Sequence, residues 1–412
     1  MSSADSAGRH AAGHRMKVHV WVPDYVSDTG GIYALSRFLV RALRECLPDA
    51  EIAVLSKNDR SVPDPAENTV TQFSTVGCWA SSQRTAAFTV ELLRWAVRER
   101  PDLIIATLVN FTPVAHWLKK LLKIPFIAIG HGVDVWHIQS GQVRRALRSA
   151  DRLLAVSEFT RRRMAIALSI SSQTIEVLPN TFDPEKFQLA PKPHFLLKQY
   201  RLRRDQPVIL TVARLASAEQ YKGYDQVLRA LPTVKRAFPD VRYILGGRGS
   251  DRGRVMRLIR ELGLTDTVSL AGYIPDHELR AFYNLCDVFA MPSKGEGFGI
   301  VFLEALACGK PVIAGNKDGS VDAVLNGRLG VLVDPESVDE ISKTLIEVIS
   351  KSHPLQILRQ PEALRRGVID AYGYVRFVER LQTIIKPFAE GSESRNRTSG
   401  FRNSRSEITL RL

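Results

Sequence analysis

The chain has 412 residues, 45% of them hydrophobic and 24% charged, with a formal net charge of +14 and four cysteines. That length exceeds what one hydrophobic core usually organises, so two domains of roughly 150 to 200 residues each are expected, and the composition is neither that of a disordered chain nor that of a membrane-embedded one. No run approaches 18 consecutive apolar residues, which argues against a spanning helix, and Cys46, Cys78, Cys286 and Cys308 form no CxxC pair, which argues against a zinc finger and reads as four reduced, buried thiols.

Residues 1–15, MSSADSAGRHAAGHR, are polar and small and lack the apolar core of a secretory signal. They read as a disordered extension, and a cytoplasmic location is expected. From Met16 strand and helix patterns alternate. MKVHVWVP is a β-branched run, a helical pattern from Ile32 to Leu47 follows, and EIAVLS, DLIIATL, PFIAIG, DRLLAVS and TIEVLP are further short apolar runs. Runs that are hydrophobic on both faces suit a parallel sheet covered by helices, so residues 16–185 form one doubly wound domain. Between Asn180 and Gln206 the pattern breaks into Pro184, Pro191, Pro193 and mixed charges, the signature of a linker. The alternation restarts with PVILTVAR, VRYILGG, TVSLAG, VFAMPS, PVIAG and GVLV, giving a second domain of the same class over 206–370. The stretch YGYVRFVERLQTIIKPF predicts a helix over 371–390 that packs back on the first domain, and 391–412 read as a disordered tail. Two such domains facing a cleft place ligands at the carboxyl ends of their strands.

The segment richest in chemistry is KGEGFGIVFLEALACGKP, residues 294–311. A glycine-rich turn after a strand leads into an apolar helix that ends at Gly309 with Pro311 beyond. Glycines there let a ligand approach the backbone, and the first-turn amides present a positive dipole end, so an anion belongs at this point and diphosphate is the natural one. Glu304 sits inside the helix among apolar neighbours, and a carboxylate so placed needs partners; vicinal sugar hydroxyls serve well. The plain alternative is an exposed helix glutamate and a loop charge at Glu296.

The spacing E296-GFGIVFL-E304 resembles the Glu-x7-Glu signature of the retaining glycosyltransferase family 4, the glycosyl transferases of group 1. The likeness extends over VARL with KG, LGGRG, AGYIPDHEL and DVFAMPSKGEGFGIVFLEALACGKPVIA; it is dense over 206–335 and sparse in the first domain. It implies a GT-B fold, two Rossmann-like domains facing a central cleft, and an enzyme that moves a hexose-type sugar from a nucleotide-diphosphate sugar to a hydroxyl. Carried over by position, it implies that Arg214 and Lys222 neutralise the donor diphosphate and that Glu296, with Gly297, Phe298, Gly299 and Ile300, holds the transferred sugar. Glu304 would hold the ribose, and Ile274 would lie where the base is read. In the first domain Gly30 and Gly31, within a TGG turn, would close over the donor, and His131 in HGVDVW would contact the transferred sugar. Each has a bland counterpart: a surface cation, a tight turn, a structural histidine. Ser157 in AVSEFT reads at least as well as a helix N-cap. No DxD-type loop is evident, so no metal and no cofactor are expected, the UDP- or GDP-sugar being a substrate.

The acceptor, carbohydrate or lipid-linked, is not legible. Seven arginines between Arg144 and Arg163 oppose only Asp151 and Glu158, which is either the solvated face of two helices or a surface for an anionic membrane at its inner face. No nucleic-acid motif accompanies the charge, so nucleic acid is not expected as a partner. Two rivals stand beside the transferase: a nucleotide-sugar epimerase of the same fold, and a non-enzymatic binder of anionic surfaces or nucleic acid. A nicotinamide oxidoreductase is disfavoured, since no GxGxxG follows the first strand.

Overall fold

The computed structural model describes residues 15–26, 30–64 and 70–406. The first sheet comprises β1 (Lys17–Val22), β2 (Glu51–Ser56), β3 (Gln72–Thr75), β4 (Leu103–Ala106), β5 (Phe126–Gly130), β6 (Arg152–Ala155) and β7 (Ile175–Val177), in the order β3-β2-β1-β4-β5-β6-β7. The second comprises β8 (Val208–Val212), β9 (Arg242–Gly246), β10 (Val268–Gly272), β11 (Val288–Met291), β12 (Val312–Gly315) and β13 (Val331–Val333), in the order β10-β9-β8-β11-β12-β13. Every pairing in both sheets is parallel. Strands such as Leu103–Ala106, Phe126–Gly130 and Val312–Gly315 are buried along their whole length, because helices cover both faces. The strand order reverses between β1 and β4 and again between β8 and β11, and loops leaving the carboxyl ends at such points open into a crevice.

The segment between the domains is more structured than its prolines suggest. It holds a short helix, His194–Gln199, whose Leu196 and Leu197 are buried with Leu202 in the core. At the other end Phe182 pairs with Gly373 in an isolated parallel bridge, and the Thr181 hydroxyl donates to the Tyr372 carbonyl at 2.8 Å. The chain thus crosses between domains twice at one place.

The last helix, Tyr374–Ser406, returns to the first domain. Phe377, Leu381, Ile384 and Ile385 are buried in the core that also takes Leu35, Leu39 and Leu43 from the helix Gly31–Cys46. Tyr374 donates to Glu45 at 2.9 Å, with the Arg41 guanidinium stacked 4.3 Å above its ring. Helical backbone continues to Ser406, beyond the point where the polar composition suggests disorder; no proline follows Pro387, and each added residue needs only one further backbone bond. Residues 1–14 and 407–412, for which disorder is expected, lie outside the described residues. Of the four cysteines, Cys286 and Cys308 are buried, Cys46 is half-buried and Cys78 is exposed, so burial holds for two of them; all four are free thiols.

Candidate active site

The two sheets face each other across a cavity of about 810 Å³, within the range of small-molecule sites. Its walls bring together every residue singled out from the sequence: Gly30, Gly31 and His131 from the first domain, and Arg214, Lys222, Ile274, Glu296, Gly297, Phe298, Gly299, Ile300 and Glu304 from the second. Thr29, the first residue of the TGG turn, lies outside the described residues.

The loop after β11 forms the cavity floor. Gly299 has φ +88° and caps the helix Ile300–Ala307; the Phe302 amide is taken by the Gly299 carbonyl at 3.2 Å, and Ile300 and Val301 of the first turn line the cavity. Gly297 is glycine for a different reason from the one its sequence suggests: a Cβ there would overlap the His131 carbonyl oxygen of the opposite domain. From the other wall the helix Gly31–Cys46 begins at Gly30, with φ +102°, and a methyl on Gly31 would lie 3.8 Å from Cδ1 of Ile300. Two helix N-termini therefore flank the same space.

The charges divide into two groups. Lys222 and Glu296 form an ion pair that is mostly buried, with side-chain exposures of 14% and 13%. Burial alone would lower the Lys222 pKa, but the Glu296 carboxylate outweighs it and holds the ammonium charged above its ordinary range. An ammonium has three donors, so Lys222 keeps capacity for a further anion. Arg214 stands at the rim, 64% exposed, with its guanidinium 2.7 Å from Glu219. About the second group, the Tyr283 hydroxyl donates to Glu304 at 2.6 Å, and burial pushes the Glu304 carboxyl up to about 7. Part of the partnership expected from sugar hydroxyls is thus supplied by the protein; the cavity receives the remaining acceptor capacity.

Residues 195–363 match the family model described as glycosyl transferases group 1, and residues 29–186 match that described as glycosyltransferase family 4. A 2-deoxystreptamine glucosyltransferase of Streptomyces kanamyceticus is 30% identical over 282 residues, 68% of this chain and 71% of that protein. The chain belongs to glycosyltransferase family 4. A GDP-mannose-dependent alpha-(1-6)-phosphatidylinositol monomannoside mannosyltransferase of Mycolicibacterium smegmatis is 34% identical over 235 residues, 54% of this chain and 60% of the relative, so less than two thirds of that relative's length is spanned. The solved sucrose-phosphate synthase of Thermosynechococcus elongatus has the same fold, with a TM-score of 0.75 at 19% identity over 92% of this chain and 100% of that one. The two facing parallel-sheet domains are the GT-B arrangement.

Within this family-4 site Asp318 and Asn180 escaped sequence inspection, while Ser157, read from the sequence as a helix N-cap, fills that role and a second one. Asp318, fully buried, accepts from the Glu296 amide at 2.7 Å, the Ser293 hydroxyl at 2.7 Å and the Ser320 amide at 2.9 Å, which fixes the backbone that presents Glu296. Ser157 caps the helix Glu158–Leu168 by accepting from the Thr160 amide at 2.9 Å, and its hydroxyl also donates to the Gly297 carbonyl at 2.6 Å. Asn180 lines the cavity at 8% exposure with its Oδ1 buried and unpartnered. Periodicity and spacing mark neither Asp318 nor Asn180; the cap at Ser157 is local, but its bond to Gly297 joins residues 140 apart. His131 places Nε2 2.6 Å from the Thr107 carbonyl; a carbonyl only accepts, so Nε2 carries a proton toward it. The His131 amide donates to Asp134 at 3.0 Å.

The arginine-rich stretch is not one free cationic surface. Arg144 donates to the Ile138 carbonyl, Arg148 to that of Leu168, Arg152 pairs with Glu176, Arg161 with Glu158, and Arg163 bonds His137. Trp95 is half-buried and donates to Glu91, whereas Trp79 and Trp117 are exposed.

Removing one member of the Lys222–Glu296 pair strands the other charge in a mostly buried place. Loss of turnover is therefore expected to come with a loss of stability. Lys222→Met and Glu296→Gln are each expected to lower unfolding free energy by about 3 kcal/mol, and the double variant to recover most of it, as read by denaturant titration. Glu304 makes a pH prediction. Its folded pKa of about 7 lies above its ordinary 4.5, so the folded state binds the extra proton between those values. Its stabilising contribution is present below pH 4.5 and is lost as pH rises through 7, by on the order of 1–3 kcal/mol. The difference between wild-type and Glu304→Gln melting temperatures should change across that window and stay flat above it.

Proposed function

We propose that this protein is a retaining hexosyltransferase that moves mannose from GDP-mannose to a hydroxyl of a lipid-linked or carbohydrate acceptor, without a metal. The observation that carries the reading is the convergence, in one cavity, of the buried Lys222–Glu296 pair, two helix N-termini and the Glu304–Tyr283 carboxylate. In this reading Lys222, with Arg214 released from Glu219, and the amides at Gly299 and Ile300 take the diphosphate, whose charge grows as the glycosidic bond breaks. Glu304 accepts from the ribose hydroxyls, Glu296 accepts from hydroxyls of the transferred sugar, and His131 faces that sugar from the first domain. With no further carboxylate assigned as a nucleophile, the acceptor hydroxyl attacks the face from which the diphosphate departs, and a diphosphate oxygen takes its proton.

The base end supports guanine. Ile274 and Asp276 line the cavity there, with the Arg248 guanidinium stacked 4.6 Å from the Tyr273 ring. Asp276 is paired with Lys186; its carboxylate, with the acceptor capacity that pair leaves, matches the adjacent ring N–H and amino donors of guanine, whereas uracil offers one N–H between two carbonyls. The mycobacterial relative named for GDP-mannose agrees with this choice. For the acceptor side, the helix Thr112–Leu122 exposes Trp117 and Leu121 one turn apart beside Lys120, carries no acidic residue and is followed by Lys123. This face suits the inner, anionic surface of a cytoplasmic membrane. Among the described residues no helix is long and apolar enough to cross a membrane.

A thermal-shift screen of GDP- and UDP-sugars, followed by NMR of the product's anomeric centre, tests the chemistry. GDP-mannose is expected to give the largest shift, and the new linkage to keep the donor's α configuration; a β-linked product would reject the mechanism. Flotation with vesicles of anionic phospholipid tests the surface: the protein should float with them and not with neutral vesicles, and Trp117→Ala/Leu121→Ala should stay at the bottom. Equal flotation of that variant would place membrane contact elsewhere.

A further inference from the structure

The Gly297 carbonyl belongs to the loop that carries Glu296, yet its hydrogen-bond donors come from the opposite domain. The Ser157 hydroxyl donates to it at 2.6 Å and the Thr160 hydroxyl at 3.2 Å, both from the start of the helix after β6. The second domain reciprocates: Asp322 accepts from the Phe159 amide of that helix at 3.0 Å. On its own side the loop is held by the Glu296 amide on Asp318 at 2.7 Å and by the Gly319 amide on the Glu296 carbonyl at 2.8 Å. Part of the loop's anchorage is therefore supplied only while the domains are together.

A hydroxyl is the side-chain group that does both jobs asked of Ser157 at a single atom. It accepts the Thr160 amide to cap the helix and uses its one proton on Gly297. An aspartate at this position keeps the cap and presents a carboxylate, which has no proton to give, to the carbonyl.

We propose that Ser157 is a positioning residue that completes the Glu296 loop when the domains close, so that alignment of the transferred sugar is made conditional on the acceptor-side domain. Nucleotide binding needs less of this help, because Arg214, Lys222 and Glu304, proposed to hold diphosphate and ribose, lie in the second domain outside the stretch that Ser157 anchors. The inference rests on the proposed role of Glu296 in holding the donor sugar. It ties commitment of the donor to the presence of the domain where an acceptor must dock, the logic of a closure that assembles its own catalytic geometry.

The test compares wild type with Ser157→Ala, Ser157→Asp and Thr160→Val. Three quantities are read: amide hydrogen exchange of residues 294–300, calorimetric affinity for GDP, and release of GDP from GDP-mannose. Ser157→Ala and Ser157→Asp are expected to raise exchange in that segment at least tenfold and to slow release at least tenfold, with GDP affinity lowered by a smaller factor than release, since Gly299 and Ile300 of the same segment also face the diphosphate. Thr160→Val should move exchange the same way by a smaller factor. Wild-type exchange and turnover in Ser157→Asp would overturn the proposal and leave Ser157 as a helix cap alone. The two readings fail separately. A protein that binds no GDP, or whose Glu296→Ala variant turns over normally, loses the donor reading, while exchange of 294–300 still decides whether Ser157 orders the loop.

Discussion

The architecture depends on one close approach, that of the Gly297 backbone to the backbone of His131 and Gly132. Two stacks of parallel strands and helices have no intrinsic reason to meet at a particular angle. Here they meet where a side chain is forbidden on one strand-end loop and where the Gly297 carbonyl finds donors from Ser157 and Thr160. The approach puts His131, on the loop after β5, against the loop that carries Glu296. It also brings two helix N-termini to face one cavity. A single buried carbonyl with two partners contributes only about 1–2 kcal/mol net, so the contact sets geometry more than stability. Stability across the domains comes from elsewhere, chiefly from the last helix, which lays Phe377, Leu381 and Ile385 against the first domain after leaving the second.

Electrostatics then give the cavity its chemical character. Lys222 and Glu296 neutralise each other in a place where neither would be tolerated alone, and the pair leaves donors and acceptors in excess of what it uses itself. Glu304 is held in the opposite condition, a carboxyl raised by burial and steadied by Tyr283. Hydroxyl donors from a ligand would restore to it the solvation that burial removes. In the proposed function the two carboxylates take two different sugars, and the diphosphate joining them would meet the helix N-terminus between.

Much of this was visible in the chain before any coordinates. Strands buried on both faces must be apolar at every position, so twelve of the thirteen strands stand out as runs such as LIIA and VIAG. The exception, QFST of β3, is an edge strand paired only with β2 and half-buried, and its polar residues hide it. The helix Ile300–Ala307 was legible because its glycines, its apolar run and the closing Gly309 and Pro311 follow one another along the chain. The Lys222–Glu296 pair joins residues 74 apart, and the Ser157–Gly297 bond joins residues 140 apart. Local pattern carries no information at such separations; membership of the site was inferable from a family resemblance, but who bonds to whom was not. The same holds for Arg148, which the Leu168 carbonyl takes from 20 residues away, whereas the Arg161–Glu158 pair lies three residues apart in one helix and is local.

The central claim is that the site exists only where the two domains touch at Gly297. Gly297→Ala tests it most directly, because the added methyl has nowhere to go except against the His131 carbonyl. Small-angle X-ray scattering of wild type and variant, with circular dichroism to confirm that both domains remain folded, gives the answer. The account predicts an unchanged helix and strand content, a larger radius of gyration as the cleft is wedged open, and loss of sugar-nucleotide turnover. A variant with the wild-type scattering profile and normal turnover would contradict it.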